Sequence, residues 1–308
     1  MRRCIPAIAV GTAVLTSCRG ATDPEAGSGA PDFPIALISA PTNEAARAEV
    51  LLASEDGRRT RTLATFAGVK VAVRWAPDGR RLAFIGAESP RVSAPYDLWV
   101  VNADGTGLRQ LTSGLDVRSP VWLPDGRLVV SRTFRQPDGF YIDSVGWQVV
   151  PTGGGTPSSI RVGDGRPTTQ LDVSPDGVRI AFTEAGAVYT ARFDGGDKRL
   201  VGPGSGPRWA PNGTQLAYAR SEAGAAAVVV TPADGGTTTS IPAAAAGVSS
   251  LAWAPGGSKL AWIASNPGSL RAVAAGTGGS APAAPVVNRA PNATDFDVHV
   301  DWRPTPPQ

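Results

Sequence analysis

The sequence is poor in the side chains that most enzymes use. Its 308 residues hold one histidine, one methionine and two cysteines. A Ser-His-Asp hydrolase would need that histidine, His299, beside a serine on a nucleophile elbow, and no G-x-S-x-G stretch is present. A zinc centre wants several His or Cys ligands, so no metal is expected. No cofactor is expected either, because glycine clusters such as Gly153 to Gly155 lack the strand-then-helix setting of a phosphate loop. Aromatic residues make up 6% of the chain, and 29 Lys and Arg stand against 26 Asp and Glu. Without a basic stripe, that balance excludes nucleic acid as the partner.

Both cysteines, Cys4 and Cys18, lie at the N-terminus, so the domain that follows folds without a disulfide. Arg2 and Arg3 precede an apolar stretch, Ile5 to Leu15, too short to span a bilayer as a mature helix. It ends in Leu15-Thr16-Ser17-Cys18, which resembles the lipobox of bacterial lipoproteins, where the cysteine is lipidated and becomes the new N-terminus. The resemblance implies a signal peptide over 1–17 and a lipid on Cys18. The protein would then be held at a bacterial membrane through that anchor alone, facing the periplasm or the cell exterior. The segment 18–34, "CRGATDPEAGSGAPDFP", has no apolar period and reads as a flexible tether.

Glycine and proline are abundant, at 37 and 28 residues, and they fall in a repeat. Trp75-Ala76-Pro77-Asp78-Gly79 returns as Trp122-Leu123-Pro124-Asp125-Gly126 and Val173-Ser174-Pro175-Asp176-Gly177. It returns again as Trp209-Ala210-Pro211-Asn212-Gly213, Trp253-Ala254-Pro255-Gly256-Gly257 and Trp302-Arg303-Pro304. Proline presets φ, Asp or Asn bonds the backbone two residues on, and Gly accepts a positive φ, so each copy is a hairpin turn. The spacings, 36 to 51 residues, are those of propeller blades with four strands each. A second turn lies between copies, at Asp104-Gly105, Asp194-Gly195 and Asp234-Gly235, with weaker versions at Gly153-Gly154 and near Gly276.

The first unit lacks its first strand, and "DVHVDWRP", Asp297 to Pro304, is a first strand with nothing after it. Together they complete one blade. The expected fold is an all-β, six-bladed β-propeller over 35–304, closed by the C-terminal strand joining three N-terminal strands, with 305–308 as a tail. Closure removes the exposed sheet edges of an open array.

These units resemble the WD40-like, TolB-type propeller repeat, W-S-P-D-G followed by an apolar strand and a later D-G turn. The likeness covers about Phe33 to Pro304. It implies a propeller whose first strands are innermost and whose relatives serve varied ends. TolB itself is periplasmic, carries an α/β domain before its propeller and works with a peptidoglycan-associated lipoprotein. Here a tether leads directly into blade strands, which sets a Tol-system role apart.

Side chains alternate along a strand, so residues one and three before each Trp share a side. With the first strand innermost, that side lines the central channel and carries Arg74, Asp172, Arg208, Asp301 and His299. These residues either bind a polar ligand or peptide end, or pair with one another and with water. The longest irregular connection, Arg132 to Gly146, holds Phe134, Phe140 and Tyr141, an aromatic set suited to a partner surface on the face away from the Pro-Asp-Gly turns. The expected function is a non-catalytic envelope lipoprotein that binds a protein or peptide. The alternative is an envelope polysaccharide lyase or hydrolase using the channel, which the shortage of histidine disfavours.

Overall fold

The computed structural model describes residues 33–41, 48–55, 59–66, 70–87, 95–135, 141–160, 162, 168–222, 224–243, 247–265, 268–274 and 295–305. The signal, Cys18 and the tether up to residue 32 lie outside these residues.

The strands follow the repeat. The first unit supplies β1 (Ile35–Pro41), β2 (Ala48–Ala53) and β3 (Thr60–Phe66). Next come β4 (Lys70–Trp75), β5 (Arg81–Gly86), β6 (Asp97–Asn102) and β7 (Arg109–Gln110). After them lie β8 (Val117–Trp122), β9 (Leu128–Arg135), β10 (Tyr141–Val150) and β11 (Ser158–Ile160). The fourth group is β12 (Thr169–Val173), β13 (Arg179–Glu184), β14 (Ala187–Arg192) and β15 (Arg199–Pro203). The fifth is β16 (Ser205–Trp209), β17 (Gln215–Glu222), β18 (Ala225–Pro232) and β19 (Thr239–Pro242). β20 (Val248–Trp253), β21 (Lys259–Ser265), β22 (Gly268–Ala274) and β23 (Asp295–Trp302) complete the chain.

All of these pair antiparallel. β23 joins β1, with Ile35 opposite Trp302 and Leu37 opposite Val300, so one sheet is built from both ends of the chain. The strands that end in the repeated motif, β4, β8, β12, β16, β20 and β23, touch one another in circular order. They form the inner wall of a propeller.

The expectation of six four-stranded blades is corrected. Among the described residues five sheets have four strands, and the sheet of β20 to β22 has three. The weak turn signal near Gly276 lies outside the described residues. The sequence there carries Pro282, Pro285 and Pro291 and no Asp-Gly turn.

The turns obey their local chemistry. Gly79 N–H donates to Ala76 C=O at 2.8 Å, and equivalent bonds recur at Gly126, Gly177, Gly213 and Gly257. Asp78, Asp125, Asp176 and Asn212 each accept from the N–H two residues on, at 2.8–3.0 Å. Gly79 has φ +64°, and a Cβ there would sit 2.8 Å from the Pro304 carbonyl oxygen. Only glycine serves at that site.

The core lies between blades. Trp122 packs with Ala76 and Ala83 of the preceding sheet, Trp253 with Ala210 and Ala217, and Trp302 with Ala254 and Ala261. Trp209 packs likewise with Ala181. Where the motif has Val173 instead of Trp, the facing residues are Leu123 and Val129. Large against small keeps each wedge filled at near-crystalline density.

The stretch read as a long irregular connection is mostly strand. β9 and β10 pair Phe134 with Ile142 and Arg135 with Tyr141, with a bulge between Ile142 and Gly146. Pro137-Asp138-Gly139 between two β-prone runs is itself a hairpin signal.

Candidate functional site

The inner strand of each sheet has one unpaired edge, and buried backbone N–H groups need acceptors. Channel side chains supply some of them. Asp301 Oδ2 accepts from the Trp75 N–H at 2.7 Å, and Asp172 Oδ2 from the Trp209 N–H at 2.7 Å. His299 Nδ1 accepts from the Val73 N–H at 3.3 Å, and Ser250 Oγ from the Val300 N–H at 3.2 Å. In each case a residue one or three before the motif position stitches the next blade. Two indoles bond the other way, Trp122 Nε1 to the Arg74 C=O and Trp253 Nε1 to the Arg208 C=O, both at 3.1 Å.

The structure brings Arg74, Asp172, Arg208, Asp301 and His299 together, as alternation predicts. Arg208 Nη2 donates to Asp301 Oδ1 at 2.8 Å across the channel, and its Nε lies 3.5 Å from Asp172 Oδ2. Arg74 Nη1 lies 3.0 Å from His299 Nε2. Asp172 and Asp301 are 7% and 5% exposed, so these charges form a nearly dry plug. Burial raises the Asp172 carboxyl above its usual range, against the pull of Arg208 and Arg74. Burial and the neighbouring Arg208 lower Arg74 to about 10. For Arg208 burial works downward, but Asp172 and Asp301 outweigh it and raise the guanidinium. Burial, then Arg74 and Arg208, hold His299 well below 6.5, so the ring is neutral at neutral pH.

Mutual pairing is therefore the first role of these residues. The plug also divides the channel into two chambers. On the Pro-Asp-Gly face a cavity of about 540 Å³ is walled by the turn prolines of all six copies and by the five motif tryptophans and Val173. Its floor is Arg74, Asp172, Arg208 and Asp301. Arginines cap this wall from behind: Arg81 lies over the Trp122 ring at 5.1 Å, Arg179 over Trp209 at 5.2 Å and Arg303 over Trp75 at 5.0 Å. On the opposite side a smaller cavity of about 220 Å³ is polar, with His299, Arg118, Gln170 and Ser250 in its lining.

The Trp-Pro funnel escapes a reading based on alternation. Its signal was the motif itself, because a residue type repeated at a strand end recurs around one rim. Phe140 and Cys18 lie outside the described residues, as do the side chains of Phe134 and Tyr141. Among the described residues no group of three or more His, Cys, Asp or Glu is placed to hold a metal.

A ring of antiparallel sheets, with motif hairpins on one face and a plugged channel, defines a β-propeller of the Pro-Asp-Gly repeat type. Residues 37–257 match the PD40 family, the TolB beta propeller domain, and the chain belongs to that family. Among solved structures it is similar to a putative TolB from Agrobacterium tumefaciens, at 16% identity over 89% of this chain and 100% of that one, with TM-score 0.58. It is also similar to Kuenenia stuttgartiensis hydrazine synthase, at 15% identity over 89% of this chain and 48% of that one, with TM-score 0.65. TolB from Acinetobacter baumannii is matched at 19% identity and TM-score 0.42 over 69% of this chain, which spans 64% of that protein's length. These likenesses describe fold. No curated protein matches.

Proposed function

We propose that this chain is a non-catalytic binding propeller of the cell envelope, held at a bacterial membrane by a lipid on Cys18. Its partner is a protein or peptide that seats a segment in the Trp-Pro funnel. The observation that carries this reading is the 540 Å³ cavity, built from the same motif positions of every repeat. That volume is in the range of ligand sites, and an apolar wall over a few oriented polar groups is their usual chemistry. Tryptophan and arginine are also the side chains that dominate interface energies. The lipobox-like Leu15 to Cys18 and membership of the TolB propeller family support the envelope location.

The state of the plug supports a binding role over a catalytic one. Asp172 and Asp301 already accept backbone N–H bonds, Asp301 also accepts from Arg208 while Asp172 lies 3.5 Å from its Nε, and His299 meets Val73 N–H and Arg74. Each of these groups is thus already engaged in holding neighbouring blades or a charge partner. The geometry favours the funnel over the opposite face, where the sequence put Phe134, Phe140 and Tyr141.

Capture from membranes with the intact protein, followed by cross-linking, tests both faces. Pro124 and Pro211 are exposed turn residues, so Pro124→Glu with Pro211→Glu charges the funnel mouth without touching the core. This pair should lose the partner, and alanine at Phe134, Phe140 and Tyr141 should keep it. The reverse pattern overturns the funnel reading. Cys18→Ser should abolish lipid labelling, and continued labelling refutes the anchor.

A further inference from the structure

The floor of the funnel keeps one acceptor open. Asp172 is engaged through Oδ2 alone, by the Trp209 N–H and by Arg208 Nε. Its Oδ1 has no partner among the described residues. The residue lines the funnel and not the smaller cavity, and its side chain is 10% exposed, so this open oxygen belongs to a carboxyl that is nine-tenths buried. Asp301 differs: both of its oxygens are taken, by the Trp75 N–H and by Arg208 Nη2.

The floor also keeps donors open. Arg74 uses only Nη1, toward His299 and the Val73 C=O. Its Nε is buried without a partner, and its Nη2 makes no bond among the described residues. Arg74 lines the funnel with Asp172, and each lies close enough to shift the titration of the other. The floor charges of Arg74, Arg208, Asp172 and Asp301 cancel, and no other charged side chain among the described residues lines the funnel.

The backbone below the floor is unusual. Ser119, Gln170 and Gly206, at the same motif position in three successive inner strands, have φ of 49°, 51° and 64°. Strand register breaks there and resumes at Val121, Asp172 and Arg208. Bulges of this kind re-aim the side chains beside them. Asp172 and Arg208 are the first residues past two of these breaks, which sets where their head groups stand.

We infer that the funnel floor selects the carboxamide of a Gln or Asn side chain on the inserted segment, which donates N–H to Asp172 Oδ1 and accepts from the Arg74 guanidinium. This rests on the reading of the funnel as the partner site. A primary carboxamide carries a donor and an acceptor side by side, whereas the N–H and C=O of a trans peptide bond point to opposite sides. An ammonium would satisfy Asp172 but face Arg74 and Arg208. A carboxylate would satisfy Arg74 but face both aspartates. The neutral amide meets one open acceptor and one open donor and leaves the charge balance intact. A site built to hydrogen-bond a group rejects analogues that leave its buried polar atoms unpaired.

The probes are the peptides acetyl-Pro-X-Pro-dimethylamide with Gln, Glu, Lys or Met as X, titrated into the full chain at neutral pH and constant ionic strength. Proline and the dimethylamide carry no N–H, so the peptides differ only in the central side chain. Indole N–H resonances of the funnel tryptophans are the readout. The Gln peptide should give saturable shifts, and the Glu, Lys and Met peptides should bind at least about tenfold more weakly, the size of one lost bond to a charged group. Asp172→Asn leaves the floor positive and should put Glu ahead of Gln; Arg74→Gln leaves it negative and should put Lys ahead. Damage to the fold weakens all four alike, so two opposite inversions report the floor. Equal binding of the four peptides, or Glu or Lys ahead of Gln on the wild type, overturns the carboxamide and leaves the funnel as the site. No saturable shift with any peptide overturns the funnel reading as well. Should the variants fail to fold, the order on the wild type decides.

Discussion

Removing the Asp301 carboxylate should loosen the ring more than removing any exposed ion pair. Asp301 is 5% exposed and accepts from the Trp75 N–H at 2.7 Å and from Arg208 Nη2 at 2.8 Å. Asp301→Ala orphans a buried backbone donor and leaves Arg208 facing Asp172 alone at 3.5 Å. Breaking a buried pair by removing one partner costs about 3–5 kcal/mol. At about 2–4 °C per kcal/mol for a chain of this size, the melting temperature should fall by about 6–20 °C. Asp301→Asn keeps an acceptor for Trp75 and loses only the ionic part, so its loss should be clearly smaller. Asp194→Ala is the control: its pair with Arg192 has side chains 61% and 63% exposed, and such pairs contribute about 0–1 kcal/mol. The assay is thermal and urea unfolding of the four proteins, with Arg208→Leu added to close a double-mutant cycle. Asp301 and Arg208 in contact should couple by about 0.5–3 kcal/mol. If Asp301→Ala melts with Asp194→Ala, or the cycle is additive, the plug is not what holds the blades together.

The neutral His299 makes stability fall as pH drops below 6.5, because the unfolded chain gains a proton that the fold refuses. One proton corresponds to about 1.4 kcal/mol per pH unit; His299→Gln should flatten the stability profile by that increment just below pH 6.5, and an unchanged slope would sink the assignment. Truncation before Asp295 removes Val300 and Trp302 from their cluster, at about 1.5–3 kcal/mol each, together with the Asp301 and His299 bonds to the next blade. That chain should show no cooperative melt by circular dichroism, and wild-type melting would refute the shared blade. Val173→Trp should destabilise by about 1–3 kcal/mol or more, since Leu123 and Val129 fill the facing space. Adding Leu123→Ala and Val129→Ala should recover most of the loss in urea unfolding, and a triple variant no better than the single one contradicts the size pairing.

Turns were the most legible part of the fold because their chemistry spans four or five residues. Pro77 presets one dihedral, Asp78 bonds Arg80 N–H, and Gly79 takes φ +64°, none of which waits on the rest of the chain. The channel residues were legible for a related reason, since alternation along one strand is enough to put Arg74 and Ala72 on one side. Alternation fails where the strand bulges. Ser119 and Gly206 stand before Pro120 and Pro207, and proline inside a run is the mark of an edge or a bulge. Gln170 has the same positive φ without a following proline, and nothing local announces it. Partner choice was less legible still: Arg208 reaches Asp301 two blades away, a distance in sequence that no strand pattern encodes.

Why the large side chain stands at the end of each inner strand has an answer that only neighbouring blades supply. The Trp ring lies against two alanines of the blade before it, as Trp122 does on Ala76 and Ala83. One of those alanines is the residue directly after the preceding Trp, so each motif holds the knob for one interface and part of the hole for the next. Val173 tests this logic within the molecule. Its blade receives Leu123 and Val129 where Trp122, Trp209, Trp253 and Trp302 receive alanine or serine, and the smaller knob meets the fuller hole. Because the knob sits at the strand end, the following proline is carried to the rim, and six such rims make the funnel. The wedge that closes the ring and the wall proposed to receive a partner are thus neighbouring residues of one repeat. Substitutions at the tryptophans would disturb both at once, whereas those at the exposed prolines reach the wall alone.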